Sequence, residues 1–391
     1  METDCAQMQE RLSNLRRTIH KCPELGFQEI ETGKLIAKTL SDLGLEVQTN
    51  VNKTGVVGVL KGAKPGRTIA FRADMDALPI QELNETPYKS QKPNVMHACG
   101  HDGNTTILLG TAMLLCQQKD SLCGNVKFIF QPSEEAPPGG AKGMIEEGVL
   151  ENPKVDAVVG VHVDTDHPIG KASVRFGAHT ANADRIHIVI KGRGGHAAQP
   201  HKCVDPIYIS AMVIQAIHGL PSRFVDPVEP FVVTLGKISG GDTFNVIPND
   251  VEILGTVRTV TTETQDRVLE QIRLIVETIP KTYNGEGTIE VRRGYPVCIN
   301  DAGISSLIQE CCEAELGEDT VSVGTTPSMG GEDFAYFAQK VPSSVLMVGV
   351  RNEELGMVYP WHHARFDMDE RGLVIGAKCL ARIATTFLCR D

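Results

Sequence analysis

What most limits the folds open to this chain is an alternation running through its first 163 residues: short β-branched runs, closed by Gly or Pro, take turns with helix-like stretches. Residues 55–61 (Gly-Val-Val-Gly-Val-Leu-Lys) and 67–73 have the length and composition of strands, as do 125–131 and 156–163. Residues 7–22, 32–43, 104–117 and 140–147 read as helices. Strands alternating with helices build a sheet covered on both faces. The predicted class is therefore α/β, a mixed sheet flanked by helices. The middle of the chain breaks the pattern. Residues 185–192 alternate strictly, Pro206 opens a helix over 205–220, 231–239 and 251–259 read as strands, and 262–282 form a long amphipathic helix near a Thr cap. This predicts an inserted α+β domain over 183–293, a little over ~100 residues and so of ordinary domain size. The chain then returns for a helix at 302–316, a strand at 344–350 and a closing helix at 369–387, so that 1–182 and 294–391 make the main domain.

Composition narrows the function classes. The formal net charge is −11, and no Lys/Arg cluster offers a surface for tracking phosphates, which argues against nucleic acid as a partner. The longest apolar runs are of strand length, so no membrane span is expected. The first residues are polar and acidic, unlike a secretory signal, and the expected location is the cytoplasm. Eleven cysteines, odd in number and scattered, fit free thiols in a reducing compartment better than a disulfide framework.

Five segments place metal-ligand residue types after a strand or at a strand–helix turn. They are Asp74-Met-Asp76, His97-Ala-Cys99-Gly-His101-Asp102, Gln131-Pro-Ser-Glu134-Glu135, His162, and His362-His363. In an open α/β sheet the carboxyl ends of strands line the ligand crevice. Cys99 and His101, two apart, face one side if their turn is extended. Cys99, His101, Glu135, His162 and His362 are five candidate ligands, more than the three or four one zinc ion needs, so a bridging thiolate or carboxylate could spread them over two cations. Two divalent ions bring four positive charges and Cys99 with Glu135 removes two, a surplus that favours an ionised water as nucleophile. Glu134 neighbours Glu135, and adjacent side chains on extended backbone point apart, so one can bind metal while the other handles the proton. Alone, each element has a plainer reading: a Cys-x-His pair, a Glu-Glu turn or a histidine closing an apolar strand is more often structural. Their coincidence at strand ends is what counts.

The stretches FRADMDALPI, MHACGHDGNTTILLG, FQPSEEAPPGGAKGMIEEGVLE, GRGGHAAQPH, NVIPNDVEILGTVRT, SMGGEDFAYF and HHARFDMDE resemble the metal-dependent aminoacylase/carboxypeptidase family, and within it the branch of hippurate hydrolases, N-acyl-amino-acid amidohydrolases and indole-acetyl-amino-acid hydrolases. The resemblance implies that Cys99, His101, Glu135, His162 and His362 hold two divalent metals, Mn or Zn with Ni or Co as alternatives, with Cys99 bridging. It implies Glu134 as general base, and His196 as a histidine that reaches a neighbouring active site and polarises the scissile carbonyl. Asn245 and Arg258 would hold the substrate carboxylate, the latter bidentately, and Gly331 would let backbone approach the substrate. The inserted domain would act as lid and dimerisation domain of a homodimer. At the last motif the branch carries Leu-His, whereas this chain has Trp361-His362-His363, and His363 stays open as an alternative ligand. Asp74, Asp76 and Asp102 would orient ligand histidines or form turns and caps, and His97 would support its loop.

The expected activity is metal-dependent hydrolysis of the amide bond of N-acyl-L-amino acids, such as hippurate or N-acetyl conjugates, by metal-bound hydroxide. A dipeptidase or carboxypeptidase would use the same cations, and only the acyl pocket would tell them apart. A non-catalytic binding protein of the same fold is disfavoured by the intact Glu134 and ligand set.

Overall fold

The computed structural model describes residues 5–324 and 326–390. The chain divides into two compact units. One comprises Met1–Gly177, Ile299–Thr326 and Asp333–Asp391, the other Ala178–Cys298 and Pro327–Glu332.

Among the described residues, the first unit holds an eight-stranded mixed sheet. Its order is Glu46–Val51, Gly55–Lys61, Cys123–Gln131, Lys64–Asp74, Ala157–Pro168, Ser343–Arg351, Ala172–Arg175, Val321–Gly324. The centre is parallel: Lys64–Asp74 pairs in parallel with both Cys123–Gln131 and Ala157–Pro168, and the latter with Ser343–Arg351. Central strands buried on both faces read as continuous apolar runs, and Ile69, Phe71, Val126, Phe128, Phe130, Val159 and Leu346 form the core with residues of the helices Cys5–Lys21, His101–Cys116, Ala302–Leu316 and Arg371–Cys389. His101–Cys116 is almost wholly buried; its polar residues gather mainly in the first turns, from His101 to Thr106, and the remainder is largely apolar, as expected of a helix without a solvent face. By length and composition alone the closing helix Arg371–Cys389 could cross a membrane, but most of it is buried inside this unit, as in a core helix. Arg371, Lys378 and Arg382 interrupt its apolar runs, while Leu373, Ala377, Leu380, Ile383 and Ala384 pack it into the core.

The second unit is a four-stranded antiparallel sheet in the order Phe231–Ser239, Asp250–Thr259, Asp184–Lys191, Glu286–Arg292. Ile186, Ile188 and Ile190 of the third strand, with Val251, Ile253 and Val257, bury one face against the helices Pro206–His218 and Thr262–Thr282. Both helices start where their caps dictate: Asp205 accepts from the amides of Ile207 and Tyr208 with Pro206 at the first position, and Thr261 accepts from Thr264. The strand Glu286–Arg292 was not expected. It lies at a sheet edge, Ile289 and Val291 are its partly buried apolar residues, and its main hold is the backbone ladder.

Candidate metal centre

The parallel strands of the first unit end together. Asp74 stands opposite Gln131 in register, and the chain beyond these ends supplies Asp76, Glu134 and Glu135. His162 was expected to close its strand. Instead the strand runs on to Pro168, but its pairing with Lys64–Asp74 stops at Gly160, so His162 sits where it outruns its neighbour. Cys99 and His101 were expected on an extended turn. Here Gly100 is left-handed (φ +85°) and His101 begins the helix His101–Cys116. The kink needs glycine: a Cβ at Gly100 would lie 2.3 Å from Cγ2 of Val163.

Donor atoms of Cys99, His101 and His162 lie within 4.8 Å of one another, as do those of Cys99, Glu135 and His362, and those of His101, Glu134 and Glu135. Cys99 is common to two of these groups. Nδ1 of His101 is 2.9 Å from the Asp76 carbonyl and 3.2 Å from its carboxylate, so it carries the proton. Nε2, the other ring nitrogen, is buried and without a hydrogen-bond partner. Nδ1 of His162 donates to the Val163 carbonyl at 2.8 Å, leaving its Nε2 3.7 Å from Cys99 Sγ. His362 is left-handed (φ +62°), its amide donates to the Ala98 carbonyl at 2.8 Å, and its Nε2 lies 3.1 Å from Glu135. His363 points elsewhere: its ring stacks on Tyr359 at 4.4 Å and its Nδ1 accepts from the Arg365 amide. Of the tandem pair, His362 is the one brought to the cluster.

Asp76 organises the loop. Its two carboxylate oxygens accept the amides of Glu134 and Glu135, each at 3.0 Å, while it also receives His101. Asp74 accepts from Arg72 and from Asn104, both at 2.7 Å, and lies 3.7 Å from Nε2 of His101. Asp102 does not meet a histidine of the cluster. It takes Arg16 and His20, each at 2.7 Å, and ties the first helix beneath the loop. His97 is buried beside His20, and burial holds it neutral with a pKa pushed down to about 3.

The electrostatics show a cluster short of positive charge. Burial drives the Cys99 thiol well above its ordinary value, and Glu135, Glu134 and Asp74 drive it further. Burial opposes a charge on His101, yet Asp74, Asp76 and Glu135 outweigh it and lift the pKa to about 10. A proton on His101 thus balances the carboxylates in the absence of another cation. Divalent ions would release that proton and ionise the thiol. Soft thiolate, imidazole lone pairs and a carboxylate are the donor set of zinc and its first-row neighbours.

The remaining residues picked out by sequence lie in the second unit. His196 is exposed on a two-residue strand, and Val246 pairs with it. The Ala198 amide donates to its Nδ1 at 3.1 Å, so its proton sits on Nε2, ready to donate outward. The Ala197 amide donates to the Asn245 carbonyl, which brings Asn245 beside His196. Arg258 is half-buried, with Nε donating to Thr256 at 3.1 Å. Gly331 lies against it: a Cβ there would be 2.8 Å from that of Ala183 and 3.3 Å from the Arg258 guanidinium.

The sequence pattern of peptidase family M20/M25/M40 matches residues 70–386. The chain belongs to this family. It is an amide-bond hydrolase of the M20 group. It is 40% identical to the thermostable carboxypeptidase 2 of Saccharolobus solfataricus, over 99% of this chain and 98% of that one. It is 39% identical to an N-acetylcysteine deacetylase of Bacillus subtilis, over 97% of each. A solved structure of the YXEP protein of Bacillus subtilis, described as a dinuclear metal-binding peptidase of the M20 family, superposes with a TM-score of 0.86 at 36% identity, covering 98% of this chain and 99% of that one.

Around its cluster this M20 hydrolase carries supports that sequence reading missed. Arg72, wholly buried in its strand, donates to Gln131 at 2.7 Å, Asp74 at 2.7 Å and Asp333 at 3.0 Å. A charged residue inside the apolar run Ile69–Ala73 was the available signal, since a buried arginine needs carboxylates. Glu29 accepts the Ser133 amide at 2.9 Å and the Thr54 hydroxyl at 2.6 Å, and so holds the left-handed Ser133 just before Glu134.

Proposed function

We propose that this chain hydrolyses the amide bond of N-acyl-L-amino acids with two divalent cations and Glu134 as general base. The observation that carries the reading is the pair of donor groups sharing Cys99, with Glu134 in a third group beside His101 and Glu135. Cys99, His101, Glu135, His162 and His362 would hold the ions, zinc or manganese first and nickel or cobalt as alternatives. When bound, such ions polarise a carbonyl and acidify water. Glu134, buried and fixed through its amide by Asp76, takes the proton from the attacking water and returns it to the leaving amine. His196 donates from Nε2 to the carbonyl that gains charge. Arg258, its guanidinium bordered by Gly331, clamps the substrate carboxylate, with Asn245 as a further donor. Exposed Val232, Ile238, Phe244 and Val246 in the inserted unit support a homodimer formed through it, which sedimentation would test.

The name of the Bacillus relative supports an N-acetyl amino acid as substrate. That of the Saccharolobus relative favours a second reading, a carboxypeptidase acting on small peptides with the same centre. Protein loaded with Zn²⁺ or Mn²⁺ and assayed on hippurate, N-acetyl amino acids and dipeptides separates the two by the ratio of kcat/KM. Glu134→Gln is expected to keep its metal and lose turnover by about 10²–10⁴-fold. Near wild-type turnover in that variant would remove Glu134 from the mechanism, and full activity of metal-stripped protein would end the reading.

A further inference from the structure

We propose that Trp361 is a positioning residue for the metal centre, fixing the imidazole of His162 through the carbonyl they share; this rests on the two-cation reading above. The Val163 carbonyl accepts from Nε1 of Trp361 at 3.1 Å and from Nδ1 of His162 at 2.8 Å. A carbonyl only accepts, so both nitrogens carry their protons, and the lone pair of His162 stays on Nε2, facing Cys99. The indole stands edge-on to the imidazole, ring centres 5.1 Å apart at 75°. Rotation of the imidazole about χ2 would therefore break its own bond to the carbonyl and give up the edge-on contact with the indole. In an aromatic pair this geometry is itself attractive.

The same residue reaches the second donor group. Trp361 precedes His362, whose amide is tied to the Ala98 carbonyl next to Cys99. One short segment is thus pinned on one side to the loop of Cys99 and on the other to the strand of His162. Where the resembling branch carries leucine, this chain carries its sole tryptophan. Leucine fills the space but offers no N–H, so the carbonyl would lose one of its two donors. Groups that orient a metal ligand typically change metal affinity 10–100-fold when removed.

Because Trp361 is the only tryptophan, its emission reports on the centre alone. Full-length wild type and W361F, stripped with chelator, would be titrated calorimetrically with Zn²⁺ and Co²⁺ while emission is followed. In wild type, two ions are expected to bind and Co²⁺ to quench the emission. In W361F, one of the two binding steps is expected to weaken about 10–100-fold while the metal-free melting temperature holds. Wild-type affinities for both ions in W361F overturn the proposal, and so does a lowered metal-free melting temperature with unchanged affinities, which is packing alone. Should W361F not fold, the wild-type titration decides: Co²⁺ bound at saturation with no change in emission overturns it. A wild type that binds no ion defeats the two-cation reading itself, before Trp361 is at issue.

Discussion

Glu29 is a buried carboxyl whose charge the fold resists. It has no exposed surface and accepts from the Ser133 amide, the Thr54 hydroxyl and its own backbone amide. Burial lifts its pKa from 4.5 to about 7, more than those bonds lower it, and nearby Asp76 adds to the rise. A carboxyl raised in the folded state binds a proton there that the unfolded chain has already released. Stability is therefore greatest below pH 4.5 as far as this group is concerned, falls as pH rises from 4.5 to 7, and is flat above. At 1.36 kcal/mol per unit, a rise of that size costs about 3 kcal/mol above pH 7. Glu29→Gln keeps the shape, lets the amide oxygen accept from Ser133 and lets the amide nitrogen donate to the Thr54 hydroxyl, and carries no charge to desolvate. For a protein of this length the gain corresponds to a rise in Tm of about 4 °C at pH 8, shrinking to nothing near pH 4.5. Calorimetric melts of both proteins at pH 5, 6, 7 and 8, with chelator present throughout, measure it. Equal Tm values at pH 8, or a gain that does not vary with pH, would refute the account, because only ionisation gives it that slope.

Gly100→Ala would force a side chain into a left-handed position against Val163, and is expected to cost about 1–3 kcal/mol and to lower the metal content of the purified protein. Full metal occupancy with an unchanged melt would show that the Cys99–His101 kink is dispensable. Arg16→Met would leave Asp102 buried beside His20 without its guanidinium, and denaturant unfolding should show a loss of about 3–5 kcal/mol. A loss under about 1 kcal/mol would mean that the ion pair is not holding the first helix. Cys99→Ser replaces the donor common to two groups by one that does not ionise, so Zn²⁺ binding by calorimetry should weaken at least ~10-fold. Unaltered binding of both ions would remove Cys99 from the ligand set.

The parts legible in sequence are those in which burial writes a pattern. The strands Gly55–Lys61 and Phe231–Ser239 and the helices Thr262–Thr282 and Ala302–Leu316 match their expected spans residue for residue, the helices because Thr261 and Asp301 cap them. The strands Glu46–Val51, Glu286–Arg292 and Val321–Gly324 lie at sheet edges, are largely exposed, and are held by a backbone ladder any residue can make. The candidate site divides along the same line. Donor types are rare and chemically distinctive, so Cys99, His101, Glu135, His162 and His362 stood out at the ends of apolar runs. Spacing said less about how they meet: Cys99 and His101 converge through a left-handed glycine and a helix start, and the strand of His162 does not end there. The supporting layer was hidden for another reason. Arg72 finds Asp333, Glu29 finds the Ser133 amide and Trp361 finds the Val163 carbonyl, contacts that are remote in sequence and, in two of the three, made to backbone that carries no residue signature. His362 and His363 show the limit most sharply. As a sequence the pair is ambiguous, because what separates them is a backbone angle, φ +62° at His362, set by an amide bonded to Ala98. A donor can be recognised by its chemistry, whereas its aim depends on carbonyls and amides common to every residue, and only the folded chain shows which of them it has reached.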